Sequence, residues 1–289
     1  MAILIDEHTR VLIQGITGKV GSFQAKIMLE YGTSIVAGVT PGKGGTTLHG
    51  VPVYDFIEDA SRNHEVDVVL CFVPARFAKD AAIEAIDNDI KLLVLTTAGI
   101  SDQETLSILN YAFTKGTRVL GPDTPGLVSP GKCKVGVHPN RVLKEGSVGV
   151  VSKSGALSYE VCKQLTENGY GQSTIIGIGG GPLWDITQRD TLEMFENDPQ
   201  TKAIVLLGEV GGTMEHEAAA FIETSVSKPV ISLIVGRSAP KGAQMGHAGA
   251  IIEGERETAG SKIDALIKAG SHVAKNPAEI VAYLRKLGV

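Results

Sequence analysis

A histidine framed by small residues, Gly246-His247-Ala248-Gly249-Ala250, lies in a long segment, 236–254, that follows an apolar run. Nothing bulky flanks its ring. A neutral imidazole nitrogen placed this way could attack a phosphoryl group near pH 7 and release it again. The plainer reading is a solvated loop histidine. Glu209, in Gly208-Glu-Val-Gly-Gly212, also ends an apolar run. Its carboxylate could accept the second ring N–H of a histidine and so fix its tautomer, or it is simply an acid in a turn. Val151-Ser-Lys-Ser154-Gly155-Ala-Leu-Ser-Tyr159 has the form strand, polar turn, helix. Such a turn aims the first-turn N–H groups at Ser154 and Gly155 toward an anion, or uses Ser154 only as an N-cap. Its glycine spacing is not that of a nucleophile elbow.

A further glycine turn, Gly15-Ile-Thr-Gly18-Lys-Val-Gly21, stands between an apolar run and an amphipathic stretch. The order strand, glycine turn, helix suits a phosphate held on a helix N-terminus. A nicotinamide dinucleotide site needs an acid about 20 residues on. The sequence there is Val39-Thr40-Pro41-Gly42-Lys43-Gly44-Gly45, with a lysine and no acid. A cation beside flexible backbone suits a ligand with extra phosphate charge, such as coenzyme A or NADP. A mobile, solvated loop is the alternative.

These segments need elements to hold them, and the chain supplies short β-branched runs alternating with helical stretches. Strands are expected at Arg10–Gln14, Ile35–Val39, Val66–Val73, Lys91–Thr96 and Arg118–Leu120, with helices at Val20–Tyr31, at Arg76–Asn88 and after the capping box Ser101-Asp-Gln-Glu104. Residues 121–146 are broken by prolines and glycines and read as a connection. The alternation resumes with strands at Ser147–Val151, Thr174–Ile178, Ala203–Leu207 and Val230–Val235. Helices follow at Gly155–Asn168, Thr191–Glu196, Glu215–Thr224, Lys262–Ala269 and Pro277–Leu287. The strands are apolar on successive residues, as in parallel sheets covered on both faces. The expected fold is therefore α/β, with two doubly wound domains at 1–124 and 147–289 joined by a linker at 125–146.

Composition narrows the function. A net charge of −5 and 5% aromatic residues disfavour nucleic-acid or anionic-membrane partners. No apolar run reaches ~18 residues, so no membrane span is expected. The first residues lack the shape of a signal peptide. Cys71, Cys133 and Cys162 are scattered, which argues against a zinc site or a disulfide framework and for a reducing, cytoplasmic setting. Glycine is the outlier, 35 of 289 residues against a usual ~7%, and it gathers at the expected strand ends.

From Ile3 to about Leu287 the chain resembles the α subunit of the ADP- or GDP-forming succinate–CoA ligases (succinyl-CoA synthetase) of the tricarboxylic acid cycle. The most specific matches are Gly38–Gly45, Leu192-Glu-Met-Phe-Glu196, Gly208–Gly212, Ala239-Pro-Lys and Gly246-His-Ala-Gly-Ala-Ile251. The resemblance implies an N-terminal Rossmann-like CoA-binding domain and a C-terminal flavodoxin-like ligase domain. It implies that His247 carries a phosphoryl group, with Glu209 holding it and Ser154 and Gly155 at the helix facing it. Thr17, Gly18, Lys19, Val20, Lys43, Thr96, Thr97 and Ala98 fall at its CoA site, and Tyr159 at an acid contact. No metal ligand is expected in this chain. ATP or GTP with Mg2+ would be held by a β subunit with an ATP-grasp domain, in an αβ or α2β2 assembly. Such enzymes are cytoplasmic, or lie in the mitochondrial matrix of eukaryotes.

Departures from the family bear on the acid. Asp123-Thr124 replaces the usual Asn-Cys, and Ala98 replaces an acid. Ala156 stands where Thr is common. Gly181-Pro182-Leu-Trp184-Asp-Ile-Thr-Gln188-Arg189-Asp190 replaces a Gly-Gly-Asp-Pro stretch with a downstream Pro-Gly-Ser. Trp184, the chain's one tryptophan, and Arg189 are therefore candidates for selecting the substrate. Succinate is the first expectation. A sulfonated, hydroxy- or other dicarboxylic acid is the alternative. Readings from other classes are an NADP-dependent oxidoreductase and a non-catalytic CoA-binding protein.

Overall fold

The computed structural model describes residues 3–289. The first half runs β1 (Arg10–Gln14), α1 (Lys19–Tyr31), β2 (Ser34–Val39), β3 (Thr47–Leu48), β4 (Val51–Tyr54), α2 (Ile57–Ser61), β5 (Val68–Cys71), α3 (Ala75–Asp87), β6 (Leu92–Leu95), α4 (Asp102–Lys115) and β7 (Arg118–Leu120). Its sheet has the order β3-β4-β2-β1-β5-β6-β7, parallel except for the β3–β4 pair. The order reverses at β1, which opens a crevice beyond the carboxyl ends of β1 and β5, where doubly wound sheets take ligands.

The second half runs β8 (Gly126–Ser129), β9 (Cys133–Gly136), β10 (Glu145–Ser152), α5 (Gly155–Glu167), β11 (Gln172–Gly177), α6 (Gln188–Asn197), β12 (Ala203–Gly208), α7 (Met214–Ser225), β13 (Val230–Ile234), α8 (Ala259–Lys268), β14 (His272–Ala274) and α9 (Pro277–Leu287). The sheet order is β14-β13-β12-β10-β11-β8-β9. Its five parallel strands have the flavodoxin arrangement, and the crevice falls between β10 and β12.

The segment 125–146, read from its prolines and glycines as a linker, is built into the second sheet. β8 pairs antiparallel with β11, and β9 with β8. Punctuating residues mark a tight hairpin here, not a free connection. The hairpin is also the seat of α1. Thr33 Oγ1 donates to Lys134 O at 2.8 Å, Asn140 Nδ2 donates to Ile27 O at 3.2 Å, and the Gly131 N–H reaches the Tyr31 hydroxyl at 3.1 Å. The short pieces β3, β4, α2 and β14 fell below the length at which periodicity shows.

The strands bury both faces, as their unbroken apolar runs require. One apolar cluster includes Val11, Ile13, Val68 and Leu70 of the first sheet with Leu127, Val135, Val151, Ile204 and Leu206 of the second. The other faces have separate clusters, around Leu12, Val69 and Leu93 in the first half and Val150, Val205 and Leu207 in the second. The two sheets thus share a core.

The glycine turn after β1 is set by space. Gly18 caps α1, and Gly15 takes φ +75°. A Cβ on Gly21 would stand 2.2 Å from the Gly15 carbonyl oxygen, which is backbone and cannot yield. Gly21→Ala is expected to destabilise the protein by about 1–3 kcal/mol through this overlap. Chemical denaturation checks it; an unchanged midpoint removes the packing argument.

Candidate functional site

The carboxyl edges of the second sheet bring His247 and Glu209 together. The Glu209 carboxylate lies 2.8 Å (Oε2) and 3.0 Å (Oε1) from His247 Nδ1. That geometry assigns the Nδ1 proton to the bond and leaves Nε2 as the nucleophilic nitrogen. Glu209 is buried, whereas the His247 side chain is 27% exposed. The bond to Glu209 is the largest influence on the ring and raises its pKa above the ordinary value. Burial lowers it, the charges of Glu209 and Asp123 raise it, and Lys153 lowers it.

The loop holding His247 is stitched to the glycine cluster after β11. The Gly249 N–H donates to Gly180 O at 3.1 Å. A Cβ on Gly180 would lie 2.4 Å from His247 Cγ, so the ring rests on bare backbone. The glycines here provide contact area for the imidazole.

A cavity of about 290 Å³ opens in front of the ring. It is lined by Val20, Phe72 and Thr96 of the first half and by Asp123, Thr124, Pro125, Val137, Gly155, Tyr159 and His247. Both halves of the chain therefore meet at the histidine. Ser154 caps α5, its Oγ accepting the Leu157 N–H at 3.3 Å. Its own N–H goes to Ser152 Oγ at 3.0 Å. Ser154 is thus the ordinary cap that the sequence allowed, and the first-turn N–H groups beginning at Gly155 are those left to face an anion. The Tyr159 ring stands edge-on to His138, centroids 5.1 Å apart, and its phenol is pushed up to about 12 by burial. His138 is buried and pulled down to about 3, first by burial and then by Lys134, so it remains neutral. Asp123 is raised above the usual carboxylate range, first by burial, with His247 opposing and Glu209 adding.

The first crevice is larger, about 680 Å³, and mostly apolar. Phe56, Val73, Pro74 and Phe77 line it with Gln14, Thr40, Pro41, Asp80 and Glu84. Phe56 and Phe77 stand 57% and 51% exposed around it. Gln14 Nε2 donates to Ala81 O at 2.9 Å and Glu84 Oε2 at 3.2 Å, while Gln14 Oε1 is buried with no donor among the described residues. Between the two cavities run Thr17, whose N–H reaches Thr40 Oγ1 at 3.4 Å, and exposed Gly18, Lys19 and Val20. Thr96 and Thr97 are fixed by hydroxyl bonds to Cys71 O and Val73 O, at 2.7 and 2.6 Å. Lys43 and Ala98 are exposed on the flanking loops.

Arg189 does not join the His247 cavity. Its guanidinium pairs with Asp190 and Glu193 on α6 and lies 4.8 Å from the centre of the Phe221 ring on α7. Arg189 sits two residues after the α6 N-cap, and the helical period turns it toward α7. Trp184 does not line the cavity either. Its indole N–H donates to Gly179 O at 3.2 Å, bracing the glycines under His247. Asp185, beside it, binds Arg118 Nε at 2.9 Å and the Val119 N–H at 2.8 Å, tying the altered loop to the first sheet.

The residues the sequence reading passed over lie behind Glu209. Glu215 and Lys262 are fully buried, and Lys153 is 2% exposed. Lys262 Nζ donates to Glu209 O at 2.7 Å, Gly211 O at 2.6 Å and Glu215 Oε2 at 2.5 Å. Glu215 Oε1 accepts the Glu209 N–H at 3.2 Å and lies 3.3 Å from Lys153 Nζ. The Glu209 backbone is thus held on both sides. Burial pushes the Glu215 carboxyl up, and the two lysines overcome this and keep it below its ordinary range. Each of these residues looks like a surface charge in its own helix or turn, and no local signal separates them from one.

A two-domain doubly wound chain with a carboxylate-oriented histidine where the domains meet matches two known families. Residues 6–99 match the CoA binding domain, and residues 151–272 match the CoA-ligase domain. The fold and site define a CoA-ligase subunit. Succinate–CoA ligase (ADP-forming) subunit alpha 1 of Archaeoglobus fulgidus is 50% identical over 287 residues, covering 99% of this chain and 98% of that protein. The α subunit of Methanothermobacter thermautotrophicus is 52% identical over 288 residues, covering 99% and 98%. That of Staphylococcus epidermidis is 47% identical over 280 residues, covering 97% and 93%. Among solved structures, ATP citrate lyase from Methanothrix soehngenii in complex with citrate and coenzyme A superposes with a TM-score of 0.89 at 26% identity. The match covers 99% of this chain and 52% of that one, so this chain spans about half the length of the lyase. The chain belongs to the succinate–CoA ligase α-subunit family. Among the described residues no helix is long and apolar enough to cross a membrane.

Glu209→Ala removes the group that fixes the ring's tautomer. Attack by Nε2 on a phosphoryl donor, the reaction this geometry suits, is expected to slow by about 100-fold, in line with other residues that orient a reacting imidazole. Because Glu209 raises the ring's pKa, and only neutral imidazole attacks, the acid limb of the rate should move to lower pH in the variant. Rapid-quench labelling across pH reads both effects; an unmoved limb contradicts the assignment.

Proposed function

We propose that the chain is the α subunit of an NDP-forming acid–CoA ligase, with succinate as the acid, acting through phosphorylation of His247. The observation that carries this reading is the 2.8 Å bond between Glu209 and His247 Nδ1 at the cavity shared by both halves. His247 Nε2 takes the γ-phosphoryl group of a nucleoside triphosphate, breaking the bond to the bridging oxygen of the departing diphosphate. His247 keeps its Nδ1 proton, the Glu209 carboxylate accepts the hydrogen bond from it, and that negative charge stabilises the charge on the ring. An oxygen of the acid's carboxylate then takes the phosphoryl group from Nε2, giving an acyl phosphate. The CoA sulfur attacks the acyl carbon, inorganic phosphate leaves, and the thiol proton passes to phosphate or solvent. The first-turn N–H groups of α5, beginning at Gly155, face the transferred group without having to move. Tyr159, in the same cavity, is the acid contact.

The first crevice suits coenzyme A. Its apolar wall between Phe56 and Phe77 fits a purine, and the buried, donorless Gln14 Oε1 fits an exocyclic amino group. The turn at Thr17, Gly18, Lys19 and Val20, with Lys43, suits the phosphates. Thr96, Thr97 and Ala98 line the way to His247. The sequence has no Gx4GK[ST] loop. We therefore place ATP or GTP, with the Mg2+ that shields its phosphates, on a β subunit with an ATP-grasp domain.

Incubation of the αβ complex with γ-labelled ATP should give an acid-labile, base-stable label on this chain. Succinate plus CoA should discharge it, and His247→Asn should abolish it. A wild-type complex that takes no label overturns the reading. Phe77→Ala is expected to raise KM for CoA by about 10-fold, with kcat little changed, through lost stacking of a purine. Steady-state kinetics over a CoA series checks this.

A further inference from the structure

The buried charges behind Glu209 do not balance among themselves. Lys153 and Lys262 share the single carboxylate of Glu215, leaving one net positive charge with almost no exposed surface. An uncompensated buried charge is costly, so this excess calls for a negative group close by. Lys262 is fully committed, donating to Glu209 O, Gly211 O and Glu215. Lys153 is not. It touches one Glu215 oxygen at 3.3 Å, and its ammonium otherwise lies 5.2 Å from the centre of the Trp184 ring. It is thus the end of the triad with capacity left.

Lys153 also belongs to the contacts that surround the reacting ring. It immediately precedes Ser154, the N-cap of α5, and shares Glu215 Oε1 with the N–H of Glu209, whose carboxylate bonds His247. Trp184, over which it sits, binds Gly179, and Gly180 is the backbone on which His247 rests. Glu209 offsets part of the excess while His247 is bare. A phosphoryl group on the ring adds negative charge where Glu209 and Asp123 already contribute it.

We propose that Lys153 is the built-in countercharge for the phosphoryl group carried on His247, with Glu215, Lys262 and Trp184 holding it there. The proposal rests on the phosphohistidine reading above. Lys153 acts in two ways. It opposes protonation of the bare ring, keeping the nucleophile neutral against Glu209 and Asp123. It then stabilises the phosphorylated form relative to the bare one, shifting the equilibrium with ATP and ADP toward phosphoenzyme.

The test uses the αβ complex with wild type, Lys153→Met and Lys153→Arg. At a fixed ATP to ADP ratio, the phosphoenzyme equilibrium constant of Lys153→Met is expected to fall by about 10- to 100-fold, the scale of one ammonium acting on an anion across several ångströms of partly buried protein. Lys153→Arg should restore most of it. The acid limb of phosphorylation should move to higher pH in Lys153→Met, opposite to the effect of Glu209→Ala, while KM for CoA stays within twofold. A purely structural lysine would leave the acid limb in place. Should Lys153→Met fail to fold, Lys153→Gln removes the charge and keeps a side chain that can hydrogen-bond Glu215. Wild-type phosphoenzyme levels and an unmoved acid limb in the folded neutral variant overturn the proposal. Absence of label in the wild type instead defeats the phosphohistidine reading.

Discussion

A carboxylate with no exposed surface organises the centre of the second domain. Glu215 stays ionised because two ammonium groups meet it, one on each oxygen, and the Glu209 N–H adds a third donor. That junction draws together the turn after β10, the glycine turn after β12 and the start of α8. Remove it and the Glu209 N–H loses its acceptor and the Lys262 ammonium its counterion, leaving Lys262 alone to hold the Glu209 carbonyl. A buried ion cluster is weak evidence for stability. Here its clearest effect is geometric.

Much of this was legible in the chain. Unbroken apolar strands signalled parallel sheets covered on both faces, and the glycine turns marked their carboxyl ends. His247 and Glu209 stood out because small residues frame both, and the structure brings them within hydrogen-bond distance. What the sequence hid was long-range. Lys153, Glu215 and Lys262 are separated by 62 and 47 positions, and a charged residue is presumed solvated until its partners are seen. Arg189 misled for the converse reason. Its novelty beside the glycine cluster suggested a substrate contact, but its position in α6 turns it toward Phe221. The prolines and glycines of 121–146 suggested a connection between domains, whereas they shape a hairpin that the second sheet uses as its edge.

The altered stretch after Gly180 takes a different meaning from its contacts. Trp184 braces Gly179 and shelters the Lys153 ammonium, and Asp185 fastens the loop to β7. The loop supports the histidine from below and does not line its cavity. Asp123 and Tyr159 do line it. On the proposed reading, the residues open to the acid are those in the turn after β7 and on the first turns of α5.

The hairpin of β8 and β9 has one more consequence. It belongs to the second sheet, yet the end of α1 is bonded to it, and the two sheets share an apolar cluster. A hinge between the halves would have to break those bonds and open that core. The crevice lined by Phe56 and Phe77 and the histidine are therefore held at a fixed separation. On the proposed reading, a thiol anchored in that crevice by its nucleotide end reaches the acyl group through the flexibility of its own tether, and the length of that tether, not a closing of domains, sets which atoms can meet.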